Sequence, residues 1–212
     1  MINILITIMI YSNLGFCKNV DLNLKNWHLI KYKKISQNII QNEKNKIIIK
    51  VQNSASPIVY KFDKIKKIKS IQLSAELKGK INYKGKSPGS KGADDFPLRI
   101  GLIIEGRKKL NFFQRTVAAD WLLKLNNLAK KHKGFKNIYS LIYYQDIPTF
   151  KKRKHPMSSY FIEEVAAPFS KGVINYKHNF KSTQKVIGLW INADGDDTKS
   201  TYSIIINKIK IE

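Results

Sequence analysis

The chain predicts an all-β fold: a jelly-roll or galactose-binding-like β-sandwich with one amphipathic helix packed outside. Three observations carry this. Short segments between about residues 47 and 211 alternate apolar and polar side chains, and period two marks a half-buried strand, because successive side chains leave opposite faces of a sheet. Ile71, Leu73, Ala75 and Leu77 share one face; Leu98, Ile100, Leu102 and Ile104 repeat the pattern, as do Ile187, Leu189 and Ile191. Turn residues separate these segments, and a single stretch has helical periodicity, whereas a parallel α/β sheet needs a helix between successive strands.

Residues 2–16 form an apolar run that ends near the small residues Gly15 and Cys17. It is shorter than the roughly 20 residues of a membrane span. Residues 1–17 therefore read as a signal peptide, although no Lys or Arg precedes the run, and residues 18–212 as a single sandwich domain that is periplasmic or secreted. Leu14-Gly15-Phe16-Cys17 has the outline of a lipoprotein box, but bulky Phe16 stands where a small residue is needed.

The first strand of the domain lies near residues 27–32, and polar residues 42–45 read as a hairpin loop. Ile47, Ile49 and Val51 then share a face. Residues 53–57 turn at Pro57, which restricts the residue before it and lacks a donor. A strand at 58–62 is followed by Lys-rich residues 64–69, whose charges suit an edge that deters pairing with other chains; residues 70–78 read as the best central strand. Gly and Ser make residues 83–93 a loop, and the spacing there does not match a phosphate-binding P-loop. Ala118, Trp121, Leu122, Leu125, Leu128 and Ala129 lie at i, i+3, i+4 spacing. They predict one helix over 115–133 that stops at Gly134 and packs its apolar stripe on the sheet, the alternative being a basic helix lying on a membrane. Strands follow at 138–144, 158–165, 186–192 and 201–211, with a basic loop at 148–156.

The chain carries 39 Lys and Arg against 15 Asp and Glu, a net charge of +24. Such a field attracts anions. The joint richness in Lys, Asn and Ile, however, is what A/T-rich codons produce, and Arg, the residue suited to planar anions, occurs only at 99, 107, 115 and 153. Nucleic acid is therefore not the expected partner. Cys17 is the single cysteine, which excludes an internal disulfide, a cysteine zinc site and, once the signal is removed, thiol catalysis. His28, His132, His155 and His178 have no metal-ligand spacing, and there is no nucleophile elbow.

Acid is rare, so two acidic clusters stand out: Asp94-Asp95-Phe96-Pro97 before a strand, and Asn192-Ala193-Asp194-Gly195-Asp196-Asp197-Thr198 between the last two. Asp194, Asp196 and Asp197 offer the oxygens a Ca²⁺ ion wants, but the spacing is not that of an EF-hand, and Asp-Gly is also a favoured turn pair. Asp94 and Asp95 pair with Arg99 or cap the strand. Asp95 with Asp194 or Glu163 is the candidate carboxylate pair for glycoside chemistry. Trp190 alternates away from its apolar neighbours and so is the tryptophan best placed to face a ligand.

These blocks resemble a family known as domain of unknown function 3047. The similarity starts at Trp27, passes Ser54-Ala55-Ser56 and Asp94-Asp95-Phe96-Pro97-Leu98-Arg99-Ile100, and ends at the block 187–198 and the strand closing at Ile209. The tryptophan-rich strand of that family appears here as residues 71–77 without Trp, and its later aromatic strand survives as Tyr143-Tyr144. The resemblance implies an exported bacterial jelly roll like carbohydrate-binding modules and implies no activity.

The expected function is non-catalytic binding of a glycan or envelope polymer by a monomer, with Asp94, Asp95, Arg99 and Trp190 at the ligand and Ca²⁺ as the one cofactor left open. Two alternatives stand beside it. One is a basic module binding acidic polysaccharide, lipid or nucleic acid through residues 84–91 and 151–154. The other is a glycoside-active enzyme with paired carboxylates.

Overall fold

A computed structural model describes residues 17–212. The expected signal peptide lies outside the described residues apart from Cys17, which is exposed and free. The strands are β1 (Lys18–Asn19), β2 (Trp27–Leu29), β3 (Ile39–Glu43), β4 (Lys46–Gln52), β5 (Ile58–Gly79), β6 (Leu98–Lys108), β7 (Phe135–Tyr144), β8 (Lys152–His155), β9 (Ser158–Pro168), β10 (Val173–Asn192) and β11 (Thr201–Ile211). Two helices, α1 (Phe112–Val117) and α2 (Asp120–Leu128), lie between β6 and β7.

The protein is an all-β sandwich built from one continuous sheet of order β3-β4-β11-β5-β10-β6-β7-β9-β8, with β1 beside β11 and β2 beside β5. Strands β5 and β10 have 22 and 20 residues. At about 3.3 Å per residue each would run some 70 Å if straight, too long for a single layer. Each instead serves both layers. The second half of β5 and the first half of β10 lie with β4 and β11; the first half of β5 and the second half of β10 lie with β6 and β7. Their pairing breaks register between Asn179 and Gln184 and again between Val186 and Gly188, and such bulges bend a strand.

The predicted alternation survives in most strands. Ile47, Ile49 and Val51 meet Leu73, Ala75, Ile204, Ile206, Leu98, Ile100 and Leu102 in one core between the layers. The apolar face of β11 slips by one residue after Ile206, and a bulge between Ile206 and Lys208 returns Ile209 and Ile211 to the core. The bulge in β10 does the reverse to Ile187. Expected beside Leu189 and Ile191, it turns to the outer face with Ile103, Ile138 and Trp190. Gly188 is required there, because a Cβ would lie 2.6 Å from the Tyr60 carbonyl oxygen.

The outer face of the β6–β7 layer is covered by α2, whose Leu125 is buried and whose Trp121, Leu122 and Leu128 pack against that face. The single predicted helix is thus two. Asn111 and Gln114 form a capping box that starts α1, but Ala118 and Ala119 are extended and break the helix before α2. Of the apolar stripe, Trp121, Leu122, Leu125, Leu128 and Ala129 pack on the sheet, and Ala118 lies in the break. Residues 64–69 join the flanking segments into β5, and Arg153, expected in a loop, lies in the short strand β8. Strand β9 pairs with β7 in parallel, an exception in an otherwise antiparallel sheet.

Leu73 is fully buried where the two layers meet. Leu73→Ala is expected to lower the unfolding free energy by about 2–5 kcal/mol, read from urea denaturation followed by tryptophan fluorescence.

Candidate functional site

Cross-strand register builds the floor of the site. On the outer face, Trp190 of β10 stands beside Gly101 of β6, then Ser140 of β7, Glu163 of β9 and Arg153 of β8. Asn192 pairs with Arg99 on the same face. Gly101 keeps this row level, because a Cβ there would press on Ile138 at 2.5 Å and on Trp190 and Ser140 at 3.2 Å.

Arg99 is the centre. Its Nε donates to Glu163 Oε1 at 3.0 Å, its Nη1 to Asp194 Oδ2, and its Nη2 to the Asp94 carbonyl oxygen at 2.8 Å. The guanidinium also lies 4.7 Å from the Phe96 ring centroid. Arg153 completes the cluster: it donates to Glu163 Oε2 at 2.7 Å, to Asp94 Oδ1 and to the Gly89 carbonyl oxygen at 2.8 Å, and stacks 3.8 Å from the Phe150 ring centroid. Two of the four arginines of a lysine-rich chain therefore serve one site, where the planar fork can hold a carboxylate on two sides.

The two acidic clusters clasp each other. Asp95 accepts from the Thr198 N–H at 2.7 Å and the Thr198 hydroxyl at 2.6 Å. Asp194 Oδ1 accepts from the Phe96 N–H at 2.8 Å, and Asp194 Oδ2 from Asn192 Nδ2 at 3.3 Å. The Tyr202 hydroxyl donates to the Asp194 carbonyl oxygen at 2.9 Å. A third segment joins them. Asn38 Nδ2 donates to the Ala193 carbonyl oxygen at 2.8 Å, the Ser54 hydroxyl donates to Asn38 Oδ1 at 2.7 Å, and Gly195 N–H donates to the Ser54 carbonyl oxygen at 3.0 Å.

Beside this clasp lies a cavity of about 660 Å³, walled by Tyr32, Trp121, Phe161 and Trp190 and by the acidic loops. Trp121 and Phe161 sit 5.4 Å apart between ring centroids, with Trp190 5.5 Å from Phe161. Seven of the fifteen carboxylates of the chain line it: Asp94, Asp95, Asp120, Glu163, Asp194, Asp196 and Asp197. On its floor Asn192 Oδ1 and Ser140 Oγ are buried and, among the described residues, have no hydrogen-bond partner. Buried polar atoms are ordinarily paired; these two belong to residues that line the cavity, while the atoms themselves are closed to solvent.

Burial moves the carboxyls apart. It would raise Glu163, but Arg99, His155 and Arg153 outweigh it and hold Glu163 below the usual carboxylate range. Burial raises Asp194 against the pull of Arg99, and raises Asp95 against the Thr198 hydrogen bonds. Asp196 is pushed up to about 6, by burial first and then by the charge of Asp95. Burial also lowers His155, against the charge of Glu163.

The predicted residues Asp94, Asp95, Arg99 and Trp190 thus meet at one cavity. Trp190 is itself buried at its floor, while partly exposed Trp121, expected in the core, forms the wall. Asp194, Asp196 and Asp197 reach the same place. Asp194 is committed to Arg99, and among the described residues no group of three or more His, Cys, Asp or Glu side chains is disposed to hold a metal ion. Glu163, a candidate acid in the sequence, is an ion-pair partner, and Arg153, expected in a basic patch that binds anions, turns into the site instead; nothing in the sequence singles out His155 or Ser140, whereas the scarcity of arginine is a signal that points to Arg153.

No family model matches the chain, and no curated protein matches it. A solved structure similar to it is the carbohydrate recognition domain of Emp46p in its potassium-bound form, with 12% identity and a TM-score of 0.36 over 89% of this chain and 88% of that one.

Removing Arg99 leaves buried Glu163 and Asp194 short of their counter-charge. Arg99→Met is expected to cost about 3–5 kcal/mol, and Arg99→Lys most of that, because an ammonium cannot span both carboxylates; urea unfolding at neutral pH reads both. A carboxyl whose folded pKa is raised favours the folded state below its unfolded value of 3.8, and that benefit fades as pH rises through the folded value of about 6. Asp196→Asn should therefore equal the wild type in stability below pH 4 and surpass it progressively between about pH 4 and pH 6, as measured by denaturant titration at stepped pH.

Proposed function

We propose that the protein binds a saccharide in this cavity without turning it over. The observation that carries the reading is a cavity in which an aromatic wall of Tyr32, Trp121 and Phe161 adjoins the acceptor-rich side chains of Asp120, Asp196 and Asp197. A sugar offers hydroxyl donors at its edge and C–H faces that lie on aromatic rings, so it supplies both complements, and a cavity of this size is an ordinary one for a small ligand. The blocks around Asp94-Asp95 and Asp194–Asp197 are consistent with it, since they converge on one site rather than serving separate turns.

The arrangement speaks against the paired-carboxylate alternative. Both oxygens of Glu163 and both of Asp194 are held by arginine, asparagine or backbone donors, and Asp95 is spent on the Thr198 loop. Neither pair that the sequence offered, Asp95 with Asp194 or Asp95 with Glu163, therefore has the two free acids that hydrolysis requires. The anion-binding alternative loses part of its patch as well, since Arg153 turns inward and Lys152 pairs with Glu164 at 3.0 Å.

A panel of neutral and acidic glycans titrated against the protein tests the reading. A neutral glycan is expected to bind with an affinity that changes little between low salt and about 0.5 M salt, and Trp121→Ala is expected to weaken it by about tenfold or more. Binding confined to acidic glycans and lost at high salt would overturn it, as would an unaffected Trp121→Ala variant.

A further inference from the structure

Helix α1 is anomalous. None of its residues is buried, and Phe112, Phe113 and Val117 are 75%, 79% and 86% exposed. Met157, which lines the cavity as Val117 does, is 88% exposed. The two phenylalanine rings touch each other edge to face, 5.9 Å between centroids, and neither joins the apolar clusters of the described residues. Large apolar side chains gathered in this way mark a surface that another phase covers.

The flanking charges say which phase. Between residues 107 and 119 the chain carries Arg107, Lys108, Lys109 and Arg115 and no acid, and all four cations are exposed. Aromatic side chains bracketed by cations suit a bilayer interface, where the rings enter the acyl boundary and the cations stay at anionic headgroups. A polyanion in water would satisfy the cations and leave the rings wet. The break at Ala118 and Ala119 separates this tip from α2 and lets α2 keep its own apolar stripe on the sheet.

We infer that α1 docks the protein onto an anionic lipid surface, inserting Phe112 and Phe113. Val117 belongs both to this tip and to the lining of the cavity, so docking sets the cavity mouth near headgroup level. The inference is independent of what the cavity binds.

Flotation of the full chain with vesicles provides the test. Vesicles mixing phosphatidylglycerol with phosphatidylcholine are expected to take up the protein at least about tenfold better than phosphatidylcholine alone. The Phe112→Ser/Phe113→Ser double variant is expected to lose about tenfold or more of that uptake, with its melting temperature unchanged because both rings are exposed. Residues 1–16 are common to both proteins, so the difference between them reads the tip alone. In Phe113→Trp, lipids brominated on their acyl chains should quench fluorescence beyond the quenching of the wild type. Equal uptake of wild type and double variant overturns the inference. So does an unquenched Trp at position 113, or binding to a soluble polyanion such as heparin without uptake by vesicles.

Discussion

The functional end of the molecule depends on one buried guanidinium. Arg99 joins three elements that are far apart in the chain: the loop before β6, the strand β9 and the loop after β10. A buried carboxylate is costly unless a counter-charge and hydrogen bonds meet it. Arg99 meets Glu163 and Asp194 together, and Arg153 meets Glu163 and Asp94 from the other side. The ion pairs cross-brace the end of the sandwich where β-strand pairing stops, and they let acidic loops sit beside an apolar cavity without being expelled into solvent.

The sheet makes this bracing possible. Because β5 and β10 each run through both layers, the layer carrying the site and the layer that completes the core are one hydrogen-bonded unit. The bulge before Gly188 rotates Ile187 outward and restores Leu189 and Ile191 to the core, leaving Trp190 on the outer face to form the cavity floor. A bulge that bends a strand thus also sets which side chain reaches the ligand side.

Charge is segregated in space far more than along the chain. The protein is strongly basic, yet nearly half of its acids surround one cavity. The lysines lie largely at the surface, while the helical connection between β6 and β7 divides its duties. Its second helix seals the outer face of the sheet, and its first presents phenylalanine to the outside. A site rich in acceptors and a tip that is apolar and basic suit different partners, and they adjoin at Val117.

Period-two alternation alone determined that this is a sandwich, because strands such as 71–77 and 98–104 have one greasy face each and must bury it. The rarity of acid and arginine pointed to Asp94, Asp95, Arg99 and Asp194. Four things waited for the tertiary structure. A bulge reverses the facing of every residue beyond it, so Ile187 could not be placed from alternation. Helical periodicity ran through Ala118 and Ala119 without showing that the helix breaks there and that only its second part finds a partner. The pairing of β8 with β9, which turns Arg153 inward, joins residues whose local sequence reads as a solvated basic loop. The cavity exists only because register sets Trp190, Gly101, Ser140 and Glu163 side by side; that neighbourhood is a property of strand pairing across the sheet, which no local pattern encodes.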